Sequence, residues 1–358
     1  MLGVSRRMLS AFLPMAVVAA LSMPAQAQLA GDAEKALHEA AKKEGQVTWY
    51  TAHYSAETAE KMAAAFMRKY PGVKVNVVRT TAHVAYQRLT QELRAGGPQV
   101  DVFGSTDISH YLELKSKGLL EKYVPANAST VLEPLRNIDP DGYHHITSLG
   151  VIGITYNKNK VKPADLPKSW PDLVDPKWRN QVSVGHPAFS GYVGIWVLTM
   201  TKMYGWSYFE KLEKGKPQIG RSIQDTLTML KAGERSVAAG AIATAIEAAA
   251  KGDPMGWIYP SDGTVVIVAT QGIIKGAKNL DAAKALYDGL LSKESQEAQL
   301  VKNFRRPTRT DVAVASLTTL PDLKTTVTED NARFNAINAR NYNDLWFYSN
   351  PVFVTVGS

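Results

Sequence analysis

The sequence contains no cysteine. That absence removes disulfide stapling, thiolate nucleophiles and thiolate metal ligands together, so the fold has to be held by its core alone. No Gly-x-Ser-x-Gly elbow and no His-Glu-x-x-His string occurs, which takes away the parts of the common serine and zinc hydrolase routes. Beyond residue 27 no apolar run approaches the roughly 20 residues that a membrane-spanning helix needs. Tandem repeats and low-complexity tracts are missing too, which argues against an adhesive or structural surface protein. Basic residues are interleaved with acids instead of gathered into a stripe, so nucleic acid is not an expected partner.

What is present starts with an address. Arg6 and Arg7 precede an apolar stretch from Met8 to Met23 broken by Pro14, and Pro24-Ala25-Gln26-Ala27 supplies a small-x-small cleavage pattern. Residues 1–27 therefore read as an export signal, with the mature chain starting at Gln28. Ser5-Arg6-Arg7-Met8-Leu9 is compatible with either the twin-arginine or the Sec route. Removing 27 of 358 residues leaves 331, enough for two domains, and 45% apolar content is ample for a core. Arg6 and Arg7 account for two positive charges and no acid precedes Asp32, so the formal +8 becomes +6. A basic surface of this kind favours small anions.

Along the chain, a helix over Gly31–Lys43 is followed by a β-rich burst, Gln46–Thr51. A helix over Ala56–Tyr70 stops at Pro71-Gly72, and Val73–Val78 alternates as a strand. Thr80-Thr81 then open a third helix to about Ala95, before a strand at Val100–Gly104. This β-α-β-α-β order predicts a parallel sheet covered by helices on both faces. Ligands of such sheets sit beyond the carboxyl ends of the strands, and the loops there, Tyr50–Tyr54, Arg79–Ala82 and Ser105–Asp107, are rich in hydroxyls. In the second half, Ile146–Tyr156 and Val265–Ala269 are β-prone runs and Val182–Gly185 is a strand. His186–Gly191 leads into a helix over Tyr192–Tyr204, and Asp281–Leu291 is an alanine-rich helix.

With these elements in order, the chain resembles the periplasmic solute-binding proteins of ABC importers, in the class of ferric-iron, thiamine and aminoethylphosphonate binders. The resemblance rests on Val47–Ala52, Val100–Phe103, Gly118-Leu119-Leu120, Gly153–Lys158, Pro187–Gly191, Tyr259–Thr264 and Gly272–Asn279, strings that are weak singly and strong in sequence. It implies an α/β fold of two lobes, type II-like, each a mostly parallel sheet flanked by helices and joined by two crossing strands. Lobe 1 would take residues 28–152 plus 265–358, and lobe 2 residues 153–264. Residues 310–358 are left able to join either lobe. The resemblance further implies a periplasmic monomer with no cofactor, whose partners are a small anionic ligand and an inner-membrane ABC permease.

Ser190-Gly191 is the sharpest site hypothesis. A helix N-cap hydroxyl followed by glycine aims free N–H groups outward and suits a carboxylate, phosphate or phosphonate; equally, Ser190 can simply cap its own helix. The resemblance, in which Pro-x-x-Ser-Gly holds an anionic group, favours the ligand reading. The expected ligand set is Tyr50, Thr51, Thr81, Ser105, Thr106, Tyr156, Ser190, Gly191, Tyr192 and Asp262, although Thr81 and Asp262 have equally simple roles in a cap and a turn. His144-His145 read as a solvated turn. No resident metal is expected. For an iron cargo, the resemblance points to His53, Tyr54 and Tyr156, but the paired tyrosines of the iron branch are replaced here by Ala239–Ala245, and Fe(III) needs phenolate charge. An exported hydrolase stays as the rival class, because any two carboxylates can meet in space.

Overall fold

The computed structural model describes residues 22–136, 138–303 and 307–312. Most of the expected export signal, and the segment 313–358, lie outside the described residues. None of the described helices is long and apolar enough to cross a membrane.

The first helix, α1 (Ser22–Glu44), begins nine residues before the expected Gly31, because alanines dominate this stretch and Pro24 falls in the first turn, where a missing N–H costs nothing. Strand β1 (Gln46–Thr51) pairs in parallel with β2 (Lys74–Arg79) and β3 (Val102–Ser105). Between them run α2 (Ala56–Lys69) and α3 (Ala82–Arg94). Gly72, at φ +92°, makes the left-handed turn that returns the chain after α2. Then come α4 (Ser109–Ser116), β4 (Leu120–Glu121) and α5 (Glu133–Arg136).

Strand β5 (His145–Asn157) is buried along nearly all of its 13 residues, as a strand covered on both faces must be. The second half continues through β6 (Val182–Gly185), α6 (Gly191–Tyr204), α7 (Ser207–Lys214), β7 (Gln218–Gly220) and α8 (Ile223–Lys231). The small-residue segment around Gly240 divides into β8 (Val237–Ala241) and α9 (Ile242–Ala250), and β9 (Met255–Ile258) follows. Strand β10 (Val265–Ile274) returns the chain to the first half, which α10 (Leu280–Leu290) and α11 (Lys293–Asn303) complete. The return strand is longer than the expected Val265–Ala269 because Thr270–Ile273 pair onward with β3.

One curled sheet links everything in the order β2-β1-β3-β10-β5-β8-β6-β7, with β4 on β10 and β9 on β5. Strands β5 and β10 lie antiparallel at its centre, and the register between them shifts at Ala269/Thr270. Each serves both halves: His145 of β5 lies opposite Gln271, while its far end, Ile152–Tyr156, pairs with β8. The halves have separate cores. Trp49, Phe66, Leu286 and Tyr287 pack in the first half, Trp170, Trp178, Trp196 and Met200 in the second. A third cluster, with Leu149, Val151, Ile242, Ile246 and Leu291, fills the junction behind the crossing strands. The described C-terminal residues 307–312 run beside Val131, with the Arg309 guanidinium donating to the Leu291 carbonyl at 2.8 Å.

Trp170 anchors the second core: fully buried, it donates its indole N–H to the Gly263 carbonyl at 2.8 Å. Trp170→Ala is expected to lower stability by about 3–5 kcal/mol in a denaturant titration. His144 and His145 are buried, at 1% and 7% exposure, and so correct the reading of a solvated turn. The His145 ring meets the Tyr287 hydroxyl at 3.1 Å and His144 packs on Tyr111. Burial disfavours both imidazolium forms and lowers each pKa from 6.5 to about 4. The folded values lie below the unfolded one, so the unfolded chain takes up protons first and stability is lost as pH falls from about 6.5 towards 4. His145→Gln should flatten that decline in a melting-temperature profile against pH, and an unchanged slope would contradict the assignment.

Candidate functional site

Because β1, β2 and β3 run parallel, their C-terminal ends open onto one edge of the sheet. Thr51 ends β1 and His53 follows it, Thr81 precedes α3, and Ser105 ends β3 with Thr106 next. From the second half, the turn at His186–Ser190 and the start of α6 come down on this edge. The backbone N–H of His83 donates to the Phe189 carbonyl across the seam at 3.3 Å. A Cβ added at Gly191 would lie 2.6 Å from Thr106 Oγ1 and 3.1 Å from Ala82 Cβ. Only glycine permits this approach.

The N-termini of α3 and α6 therefore lie side by side at the seam. Thr81 and Ser190 hold the extended backbone of an N-cap, yet neither hydroxyl makes a cap hydrogen bond. Elsewhere in the same chain Ser55 accepts from the Thr58 N–H and Ser222 from the Gln224 N–H, both at 3.2 Å. The Oγ1 atoms of Thr51 and Thr81 are buried without a hydrogen-bond partner. No acidic residue occupies the first turn of α3 or α6, so nothing in either turn offsets the positive ends of the two helix dipoles.

His53 ties the seam together. Its Nε2 lies 3.0 Å from Ser148 Oγ on β5 and its Nδ1 2.9 Å from the Tyr192 hydroxyl on α6, with the His53 and Tyr192 rings stacked at 5.6 Å. The Tyr192 hydroxyl fits because Gly150, beneath it on β5, has no side chain. Ser148 and Gly150 were not singled out from sequence; the alternation of β5 put them on the same face, but only the register shows which face meets the seam.

The structure thus brings Thr51, Thr81, Ser105, Thr106, Ser190, Gly191 and Tyr192 to one seam, and leaves three expected residues out. Tyr50 turns into the first half, its hydroxyl donating to Glu92 at 2.6 Å with the Arg88 guanidinium over its ring, because alternation sends it to the face opposite Thr51. Tyr156 lies eight residues along β5 from Ser148, about 26 Å at the usual rise, opposite Val237 and Gly256. Asp262 accepts from the Trp170 N–H at 3.0 Å and from the Tyr204 hydroxyl at the far end of α6, which makes it a turn clamp. The set His53, Tyr54 and Tyr156 does not assemble as an iron site, since Tyr54 is fully buried against Trp49 while Tyr156 is at the other end of its strand.

Two α/β halves, two strands shared between them, and polar loops meeting at the seam define a two-lobed solute-binding fold. Residues 98–335 match the family model of bacterial extracellular solute-binding proteins, well over half of the chain, and the chain belongs to that family. It is 24% identical over 281 residues to a periplasmic protein of Salmonella typhimurium named provisionally for 2-aminoethylphosphonate binding, covering 75% of this chain and 77% of that one. It is 26% identical over 268 residues to the major ferric iron-binding protein of Neisseria meningitidis serogroup B, covering 70% and 77%. Among solved structures, the periplasmic binding protein AfuA of Actinobacillus pleuropneumoniae, with fructose-6-phosphate bound, superposes with a TM-score of 0.68 at 23% identity, covering 86% of this chain and 99% of that one. That likeness establishes the fold.

The contrast between caps is measurable. Ser55→Ala and Ser222→Ala should each cost about 1 kcal/mol, the usual loss of a cap bond, whereas Ser190→Ala should cost less than about 0.5 kcal/mol. A Ser190 penalty equal to the others would make it an ordinary cap.

Proposed function

We propose that this chain is the periplasmic receptor of an ABC importer, a monomer that captures a small anionic solute between two lobes and delivers it to an inner-membrane permease. The lobes are residues 28–152 plus 265–358 and residues 153–264, and closure is a hinge motion about β5 and β10. The cargo class is a phosphonate, a phosphate ester or a carboxylate. No bond is made or broken, in keeping with a family of binding proteins.

The observation that carries this reading is the meeting of α3 and α6. Two positive helix ends, neither with an acid in its own first turn, attract an anion from both sides, and the hydroxyls of Thr81 and Ser190 make no cap bond that an anion would have to displace. A ligand touching both halves binds the closed arrangement better and so shifts the balance towards it. The relative named for 2-aminoethylphosphonate and the fold neighbour carrying a sugar phosphate are consistent with such a cargo.

A ferric cargo is the second reading. It is favoured by the His53–Tyr192 pair at 2.9 Å, an imidazole and a phenol contributed by different halves, and by the Neisseria relative. Fe(III) would then give a visible phenolate band that Tyr192→Phe removes.

A thermal-shift screen against phosphonates, sugar phosphates, carboxylates and Fe(III) separates the two, since a ligand of the folded state alone raises the melting temperature. Ser190→Asp provides the sharper arm. A carboxylate at this N-cap should stabilise the ligand-free protein by about 0.3–1 kcal/mol while abolishing the shift given by the anion. A Ser190→Asp protein that still responds to the anion defeats the assignment.

A further inference from the structure

A cluster that the hydroxyl set does not use sits on the lip of the first half. His83 is the second residue of α3, Asp107 follows β3, and His110 is the second residue of α4. His83 Nδ1 lies 3.2 Å from His110 Nε2, while Asp107 Oδ2 is 3.8 Å from His83 Nε2 and 4.0 Å from His110 Nε2. One donor atom from each residue falls within 4.8 Å of the other two. Donors around a tetrahedral ion with bonds of about 2.0–2.1 Å stand roughly 3.3 Å apart, so the facing nitrogens His83 Nδ1 and His110 Nε2 already have that spacing, and the Asp107 carboxylate, 4.0 Å from His110 Nε2, has to close in on both.

The surroundings aim these groups. Ser105 Oγ lies 2.9 Å from His110 Nδ1, a contact that leaves Nε2 facing the other two residues. Asp107 Oδ1 accepts from the Ser109 N–H at 2.9 Å and from the Ser109 hydroxyl at 2.6 Å, which leaves Oδ2 for the imidazoles. The His110 ring is stacked on Tyr86 at 4.1 Å. The side chains of His83 and Asp107 stay 25% and 23% exposed, which gives an ion a way in.

We propose that His83, Asp107 and His110 form a binding site for one divalent transition-metal ion of the Zn(II) or Ni(II) class. Two imidazoles and one carboxylate suit such borderline cations, whereas Fe(III) calls for phenolates. The positive end of α3 opposes a cation at this place, and the Asp107 carboxylate offsets it. Three protein donors leave further coordination positions to water or an anion. This inference goes beyond the anion reading and does not depend on it.

The test titrates chelator-treated protein with ZnCl2 by calorimetry and with CoCl2 by visible absorption, without any organic solute. One saturable equivalent of Zn(II) and ligand-field bands with Co(II) are expected. His83→Ala, at a partly exposed position, and Asp107→Asn should each weaken Zn(II) binding at least about tenfold, with metal-free melting temperatures unchanged. Absence of saturable binding in the unaltered protein overturns the proposal, as does binding that both variants retain. Because no solute is added, failure here leaves the anion screen unaffected.

Discussion

Two helix N-termini brought into contact place like partial charges together, and that constraint shapes the rest of the structure. Each end carries about half a positive charge, and two such charges held near one another repel. Acidic residues in the first turns would relieve this, and α3 and α6 have none. The chain instead brings the ends closer, through Gly191 against Ala82 and Thr106. On the proposed reading, an anion between the helices would turn the repulsion into two attractions, and a small ligand would thereby govern the angle between two large bodies.

The remaining architecture serves that meeting. Separate cores let each half stay rigid, and the fully buried tryptophans at their centres make internal deformation costly. In the proposed closure, movement falls to the seam, where the polar ties include a backbone hydrogen bond from His83 to Phe189, the relay from Ser148 through His53 to Tyr192, and the Lys251–Glu57 ion pair at 3.0 Å. Such contacts exchange for water at little net cost, unlike apolar burial of comparable area.

Much of this was legible in the residues. The β-α-β-α-β rhythm of the first half, the hydroxyl-rich loops at its strand ends, and the Ser190-Gly191 helix start all follow from periodicity and capping chemistry, and the structure places those loops at one edge. What the sequence hid was sidedness. Tyr50 and Thr51 are neighbours with opposite fates because a strand alternates, and nothing in the pair says which face the seam will use. Tyr156 stood out as a phenol near a conspicuous strand, but β5 is long enough to carry one end of itself out of reach. His53, placed only in an iron set, proved to be a bridge once Ser148 and Tyr192 converged on it from elements far apart in the chain. The metal-ligand cluster was invisible for the same reason, since α3, the loop after β3 and α4 bring its members together only in three dimensions.

The irregularity at Ala269/Thr270 has a mechanical meaning. A sheet that runs unbroken through two bodies can bend, but a misaligned strand could also slide by two residues and settle into a neighbouring register. An offset fixed at one point removes that freedom, because any slip would have to carry the defect with it. In the proposed hinge motion the two bodies would therefore rotate about this joint and not translate along it, and every cycle would return the same surfaces to the same alignment.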